Sequence, residues 1–344
     1  MRIAQLASNF RQIAPESTKG IYSHVASLTE KLVSLGHETH LFGPGNAKTS
    51  ARLHSVTETS LDEMHLSDDL QKYYMLDLVA HCFEQADAFD IIHSHYTLFS
   101  SFFSNLVKTP TLTSIHIPIR EEIRPLLMQY KDRPYVSFSR SQRKQMPELN
   151  WYANIYHGID TSVFTYNPTP KDYLLYLGRV TQEKGVHLAI EAAKACNIPL
   201  LIAGRSTANE GYWENKIEAQ IDGVNIRYVG EAQLSQKIEL LQHAKALIFP
   251  TQADETFGLV MIEAMACGTP VIAWRNGAVP EVVQEGETGY IVESVEEAVK
   301  AIHQISSLPR IASRERVERF FSYEKMVSGY LRVYERLIQQ RNKT

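Results

Sequence analysis

Cysteine is scarce in this chain: Cys82, Cys196 and Cys267 are its three examples among 344 residues. None stands near another, so the material for a disulfide framework or a cysteine metal cage is missing, and this usage suits a reducing cytosol. Long apolar runs are lacking too. No stretch approaches the roughly 20 residues of a membrane-spanning helix, and the segment Met1-Arg-Ile-Ala-Gln-Leu-Ala7 is too short for the core of a signal peptide. The expectation is a soluble, unprocessed, cytoplasmic protein. An excess of one charge is also absent, with 35 Lys and Arg against 39 Asp and Glu and a net charge of −4. That balance provides no global attraction to nucleic acid or anionic lipid. The chain has no repeat of domain-building length and no low-complexity segment. It lacks a Gly-x-Gly-x-x-Gly run, which weighs against a dinucleotide-binding oxidoreductase.

What the chain has is enough apolar material, 44% of residues, for two cores. Short apolar strands alternate with helical patterns, which implies parallel sheets with helices on both faces. The first series of strands is expected at Arg2–Ala7, Glu38–Phe42, Asp90–His95, Thr111–His116, Tyr135–Ser139 and Ala153–Tyr156. Between the first two, Ile21, Val25, Leu28, Leu32 and Leu35 mark a helix face that Gly36 ends. A second series runs through Tyr173–Leu177, Leu200–Ala203, Ile226–Val229, Ala246–Phe249 and Val271–Ala273. The prolines and polar residues of 165–172 disfavour regular structure and mark a linker. The division is therefore 1–165 and 166–321. Residues 322–344 follow, in which Met326, Tyr330, Val333, Tyr334 and Leu337 have the spacing of an amphipathic helix.

The most informative run is Glu255-Thr-Phe-Gly258-Leu-Val-Met-Ile-Glu263. It follows the apolar strand ending at Phe249, so Glu255 falls in a strand-to-helix loop and Gly258 opens a helix made of good helix formers. A helix mouth carries unpaired N–H groups and about half a positive charge, suited to a diphosphate. Glu263 sits about one and a half turns inside at 3.6 residues per turn. Each carboxylate can accept two hydroxyls, so the pair can hold two polyols separated by phosphates, such as a sugar and a ribose. A lone pair of acids at this spacing is more often a solvated loop residue and a helix-surface residue.

The surrounding string decides otherwise. From Pro250 through Glu263-Ala-Met-Ala-Cys-Gly268-Thr-Pro270 to Ala273, then Pro280-Glu281 and Gly286-Glu-Thr-Gly289, the sequence closely resembles the retaining glycosyltransferases of family 4. The similarity extends over almost the whole chain and is most specific over 174–292. The resemblance implies a GT-B fold: two Rossmann-like α/β domains with parallel sheets facing one another across a cleft. Residues 1–165 would bind the acceptor, 166–321 the nucleotide sugar, and the terminal helix would cross back to the first domain.

Leu177-Gly178-Arg179-Val-Thr-Gln-Glu183-Lys184-Gly185 carries the next signal. Arg179 follows a strand and Lys184 is expected to start the next helix, so both cations can face a ligand beyond the carboxyl ends of the strands and neutralise a leaving diphosphate. A surface ion pair with Glu183 is the alternative. The resemblance implies pyrophosphate contacts for Arg179 and Lys184 and no divalent metal. It places the nucleotide base near Gly204 and Gly230, although a glycine after a strand is commonly only a tight turn. Thr251 is equally suited to a helix cap or a ligand contact.

In the first half, Gly20 in the loop Pro15–Ile21 permits close approach of backbone to a phosphate or acceptor. The family has two adjacent glycines here, and this chain has Lys19 in the first place. His93 and His95 share a strand face, and His116 ends a neighbouring strand. Three histidines suggest zinc, but no cysteine or carboxylate completes a ligand set at short spacing. The resemblance matches His116 to the histidine lining the donor sugar and acceptor side, with Ile117-Pro118 in place of the usual Asp or Asn. Core packing is the other reading of His93. Arg120, Arg124, Lys131, Arg133, Arg140, Arg143 and Lys144 form a basic neighbourhood. No apolar Trp/Phe/Leu face accompanies it, so a solvated face is favoured over a peripheral membrane contact. The segment Tyr156–Phe164 resembles the hinge-proximal motif of the family, with His157 where Asn is frequent.

The resemblance implies a hexosyltransferase: Glu263 on the ribose hydroxyls, Glu255 on the sugar 3-hydroxyl, and N–H groups of Phe257, Gly258 and Leu259 on sugar and phosphate. Retention follows from attack on the leaving-group face, the departing phosphate taking the proton. Arg179, Lys184, Glu255 and His116 carry the chemistry, with no cofactor and no metal. UDP-glucose is the first expectation for the donor and GDP-mannose its rival; the acceptor is a hydroxyl without a recognisable pocket code. The alternatives are a nucleotide-sugar epimerase, a sugar phosphorylase, or a non-catalytic sugar-nucleotide-binding protein.

Overall fold

The computed structural model describes every residue except 18–19, 97, 207–210 and 344; the expectation for Lys19 lies outside the described residues. The chain divides into two compact units, one of 1–156 with 324–344 and one of 157–323. It passes from the first to the second ahead of the proline-rich stretch 165–172 and returns at Tyr323–Glu324.

Unit 1 is built on seven parallel strands: β1 (Arg2–Leu6), β2 (Glu38–Phe42), β3 (Arg52–His54), β4 (Ile91–Ser94), β5 (Thr111–Ser114), β6 (Tyr135–Ser137) and β7 (Trp151–Asn154). Their order is β3-β2-β1-β4-β5-β6-β7. β6 ends two residues before the expected strand, because Ser139 leaves the sheet to cap the helix Arg140–Lys144 by accepting from the Gln142 N–H, and β7 lies two residues ahead of the expected Ala153–Tyr156. The first helix, Gly20–Ser34, buries Val25, Leu28 and Leu32. Gly36 ends it in the left-handed conformation, φ +80°, with Gly36 N–H donating to Val33 O and His37 N–H to Leu32 O. Leu35, expected on the buried face, falls in that turn and is half exposed.

Side chains alternate across the sheet. Ala4, Leu6 and Ile92 point to one layer and pack with Phe42, Leu78 and Cys82, whereas Gln5 and its register partner His93 point to the other. There the helix Tyr323–Arg341 buries Met326, Tyr330, Val333, Tyr334 and Leu337, and Tyr334 reaches both Gln5 and His93.

Unit 2 has six parallel strands: β8 (Leu174–Leu177), β9 (Leu200–Ala203), β10 (Ile226–Gly230), β11 (Ala246–Phe249), β12 (Val271–Trp274) and β13 (Gly289–Val292), in the order β10-β9-β8-β11-β12-β13. β9, β11 and β12 are buried along their whole length, as strands covered on both faces must be. The chain runs outward from β8 to β10, then returns to lay β11 on the other side of β8. That reversal opens a crevice beyond the carboxyl ends of β8 and β11, where open α/β sheets take their ligands. Unit 1 reverses in the same way between β1 and β4.

Candidate functional site

The segments after β8 and β11 carry the cations and acids singled out in the sequence. After β8, the Tyr176 hydroxyl donates to the Arg179 carbonyl at 2.6 Å, and Gly178 N–H donates to Ala203 O at 3.0 Å. These bonds fix the backbone while leaving the Arg179 side chain exposed and paired with Glu183 at 3.0 Å. Lys184 does not start the following helix. It closes a single 3-10 turn, Gln182–Lys184, and the helix Val186–Cys196 begins beyond Gly185. Gly185 has φ +71°, and a Cβ there would lie 2.1 Å from the Pro250 carbonyl oxygen, so no other residue fits the approach. With Gln252 N–H donating to Glu183 O at 2.7 Å, the turn after β8 is clamped onto the segment after β11.

The clamp brings together two of the predicted residues. Lys184 Nζ lies 2.7 Å from Glu255 Oε2, with both side chains about one-fifth exposed. Glu255 is held from behind, where its carbonyl accepts from Ala278 N–H at 2.9 Å and Gly277 lies against its backbone. Phe257 is buried between the rings of His157, 5.1 Å away, and Phe321, 5.7 Å away. Gly258, φ +84°, caps the helix Leu259–Ala266 as its preceding residue instead of joining it. Because no side chain among the described residues caps this end, its first N–H groups and their partial positive charge are presented at the same crevice. Thr251 does not cap the helix. It is fully buried, and its hydroxyl has no hydrogen-bond partner among the described residues.

Glu263 is the partner of a lysine that sequence reasoning missed. Lys237, on the helix Leu234–His243, is buried and places Nζ 2.7 Å from Glu263 Oε1 and 5.4 Å from the centre of the Phe164 ring. The available signal was a lysine on the stripe of Leu234 and Leu241, the face that turns inward. Glu263 is partly buried, its side chain 13% exposed, and a carboxylate with one oxygen on an ammonium has its second oxygen to offer to hydroxyl donors. Each of the two acids thus has its own lysine, and the site combines an anion-attracting helix mouth with two oriented hydroxyl acceptors. On the β9 side of β8, Gly204 follows β9 and Gly230 is the last residue of β10. Gly204, φ +147°, abuts Gly178 so closely that a Cβ would lie 1.8 Å from its oxygen, so backbone packing between the two strand ends requires a glycine here.

Gly20 and His116 belong to unit 1. Gly20 opens the helix Gly20–Ser34, and His116 follows β5. His116 Nε2 lies 2.8 Å from His95 Nδ1, and His95 Nε2 lies 3.1 Å from Gln5 Oε1. His93 joins the same array from β4, its Nδ1 2.7 Å from the Tyr334 hydroxyl and its Nε2 2.8 Å from Ser114 Oγ. Burial, reinforced by neighbouring imidazoles, holds His93 and His116 well below the ordinary histidine value, so the rings are neutral. Among the described residues, the three nitrogens that converge as metal ligands can are those of His24, His95 and His116, not of His93. The basic neighbourhood is partly consumed by structure: Arg143 donates to Ser137 Oγ at 2.8 Å, and Arg124 to the Gln145 carbonyl.

The profile described as Glycosyl transferases group 1 matches residues 161–323, and that of Glycosyltransferase Family 4 matches 18–175. A phosphatidyl-myo-inositol mannosyltransferase of Mycobacterium leprae is 24% identical over 92% of this chain and 92% of its own length. Among solved structures, a sucrose-phosphate synthase from Thermosynechococcus elongatus superposes with a TM-score of 0.75 at 20% identity, covering 99% of this chain and 100% of that one. The Anabaena protein HepE, solved with UDP and glucose, gives 0.73 at 15% identity with both chains covered completely. At these identities the structures establish the GT-B fold.

Proposed function

Because the chain belongs to the group 1, family 4 glycosyltransferases of GT-B fold, we propose that it moves a hexose from a nucleoside-diphosphate sugar to an acceptor hydroxyl with retention and without a metal. UDP-glucose is the donor we favour, since HepE was solved with UDP and glucose. The mannosyltransferase named above supports GDP-mannose as the second reading.

The observation that carries the proposal is the Lys184–Glu255 pair beside the uncapped helix mouth of unit 2. Before the donor binds, each group satisfies the other. A diphosphate offers Lys184 a doubly charged partner, and a sugar hydroxyl gives Glu255 a donor, so one ligand can replace both halves of the contact. Arg179 is exposed and, among the described residues, its side chain pairs with the equally accessible Glu183, an exchange that costs little. Glu263, held by Lys237, receives the ribose hydroxyls, and the N–H groups of Phe257, Gly258 and Leu259 face sugar and phosphate. As the bond to the anomeric carbon breaks, charge accumulates on the phosphate, where Lys184, Arg179 and the helix mouth stabilise it more strongly than in the ground state. The phosphate oxygen takes the acceptor proton, so Glu255 acts by holding the sugar and not as a nucleophile.

The test measures UDP and GDP release from UDP-glucose and GDP-mannose, with and without a panel of hydroxyl acceptors. Acceptor-dependent UDP release with α-linked product supports the favoured reading, and GDP release replaces the donor. An isomerised nucleotide sugar formed without acceptor would overturn it.

A further inference from the structure

Unit 2 has a second recess, on the face of its sheet away from Glu263. Right-handed crossovers carry the chain from β8 through Val186–Cys196 to β9 and on through 212–220 to β10, whereas the return to β11 and the step to β12 place Leu234–His243 and Leu259–Ala266 on the opposite face. The sheet therefore separates the recess from Lys237 and Glu263. Along Val186–Cys196, His187, Glu191 and Lys194 recur at helical spacing on one side, and Tyr212 and Lys216 line the facing wall. Between them lies a cavity of about 360 Å³, within the range of about 300–1,000 Å³ that small-molecule sites occupy.

The walls are tied to one another. The buried Tyr212 hydroxyl accepts from the His187 backbone N–H at 3.2 Å and lies 2.7 Å from His187 Nδ1, and Lys194 donates to the Gln220 amide oxygen. Lys216 leaves from the π-helical turn Trp213–Ile217, a rare geometry that concentrates at functional sites. Among the described residues, Lys216 Nζ, the Glu191 carboxylate and His187 Nε2 make no hydrogen bond or ion pair. Burial holds the His187 ring below the ordinary histidine value, so it is neutral at pH 7. The charged groups of the lining are then two lysines and one glutamate. A phosphate monoester, with nearly two negative charges at pH 7, offers both ammonium groups a stronger partner than an amide or water. Glu191 only accepts, so the molecule that fills the remaining space needs hydroxyl donors.

We propose that this cavity is a second ligand site of unit 2, for a small phosphate monoester that carries hydroxyl groups, such as a sugar phosphate. Lys194 and Lys216 take the phosphate and Glu191 the hydroxyls, while the Tyr212–His187 link keeps the wall in place. The ligand is additional to a nucleotide-sugar donor, and the site does not depend on the transferase reading.

The experiment titrates the full chain with glucose 6-phosphate by calorimetry, alone and with UDP present, with inorganic phosphate and glucose as comparison arms. One molecule is expected per chain in both conditions, held at least about tenfold more tightly than either comparison compound. Lys194→Ala and Lys216→Ala, at exposed positions, should each weaken it about tenfold through loss of a charge-assisted contact. Glu191→Ala should weaken glucose 6-phosphate and leave inorganic phosphate as tight or tighter. Hydrogen exchange on the same samples should slow in peptides covering 186–196 and 212–220. The proposal is overturned if neither glucose 6-phosphate nor glycerol 3-phosphate binds at millimolar concentration, if UDP displaces the ester, or if binding is unchanged in both lysine variants. Inorganic phosphate binding as tightly as the ester, or slowed exchange confined to 259–266, overturns it too. A lysine-dependent ester site in a chain that fails to bind UDP leaves the proposal standing and sinks the transferase reading instead.

Discussion

Acidification should unfold unit 1 before unit 2, and the size of the effect can be worked from two side chains. His24 and His93 are buried, at 5% and 0% exposure. Burial lowers His24 to about 3 and, with the His24 ring nearby, holds His93 well below the ordinary 6.5. The unfolded chain therefore binds protons that the folded one refuses. For a group whose folded value is depressed, stability is full above the unfolded value and drains away as pH falls toward the folded one. Going from about pH 7 to about pH 5, each such histidine removes about 2 kcal/mol, and the pair about 4 kcal/mol. That is a large part of a stability of roughly 5–15 kcal/mol. His116, likewise held well below the ordinary value by burial, acts in the same direction. The assay is urea unfolding at both pH values with hydrogen exchange read by mass spectrometry, so that peptides of each unit report separately. A unit 1 midpoint that stays put, or a unit 2 midpoint that falls equally, refutes the reasoning. His24→Phe should recover about half of the loss from the pair.

The remaining predictions concern unit 2. Lys184→Ala should reduce transfer at least about tenfold, the effect of losing ~1.4 kcal/mol of transition-state stabilisation; unchanged turnover at saturating donor would remove Lys184 from the mechanism. Glu263→Ala should chiefly weaken nucleotide affinity, and a calorimetric titration giving wild-type binding would reject the ribose assignment. Lys237→Met leaves the largely enclosed Glu263 carboxylate without its cation and should cost about 3 kcal/mol in denaturant unfolding, whereas adding Glu263→Leu should restore most of it. Gly185→Ala forces a Cβ onto the Pro250 carbonyl and should cost about 1–3 kcal/mol of strain or displacement; an unshifted melting temperature would show that the clamp is loose.

Much of this protein is legible in one dimension because its cues are local. The apolar runs of β8, β9, β11 and β12 allow a strand covered on both faces and little else. The spacing of Met326, Tyr330, Val333, Tyr334 and Leu337 specifies the buried face of the last helix. Gly36 and Gly258 mark helix ends because few side chains tolerate their dihedrals. The Glu255–Glu263 run likewise shows, without coordinates, an acid at a helix mouth and another inside the helix.

Partnerships between distant residues were decided by tertiary structure. Lys237 is an ordinary helix lysine until packing sets its Nζ 2.7 Å from Glu263. Lys184 meets Glu255, 71 residues away, only because β8 and β11 are neighbours and Gly185 permits contact with Pro250. Gln5 is a polar residue within the otherwise apolar stretch Ile3–Leu6 until the last helix brings Tyr334 across 329 positions to meet it. Helix and strand preferences act over a few residues, and the sequence carries them at the site where they operate. Hydrogen bonds and ion pairs between remote side chains depend on which elements pack together, and that is settled by burial across the whole fold.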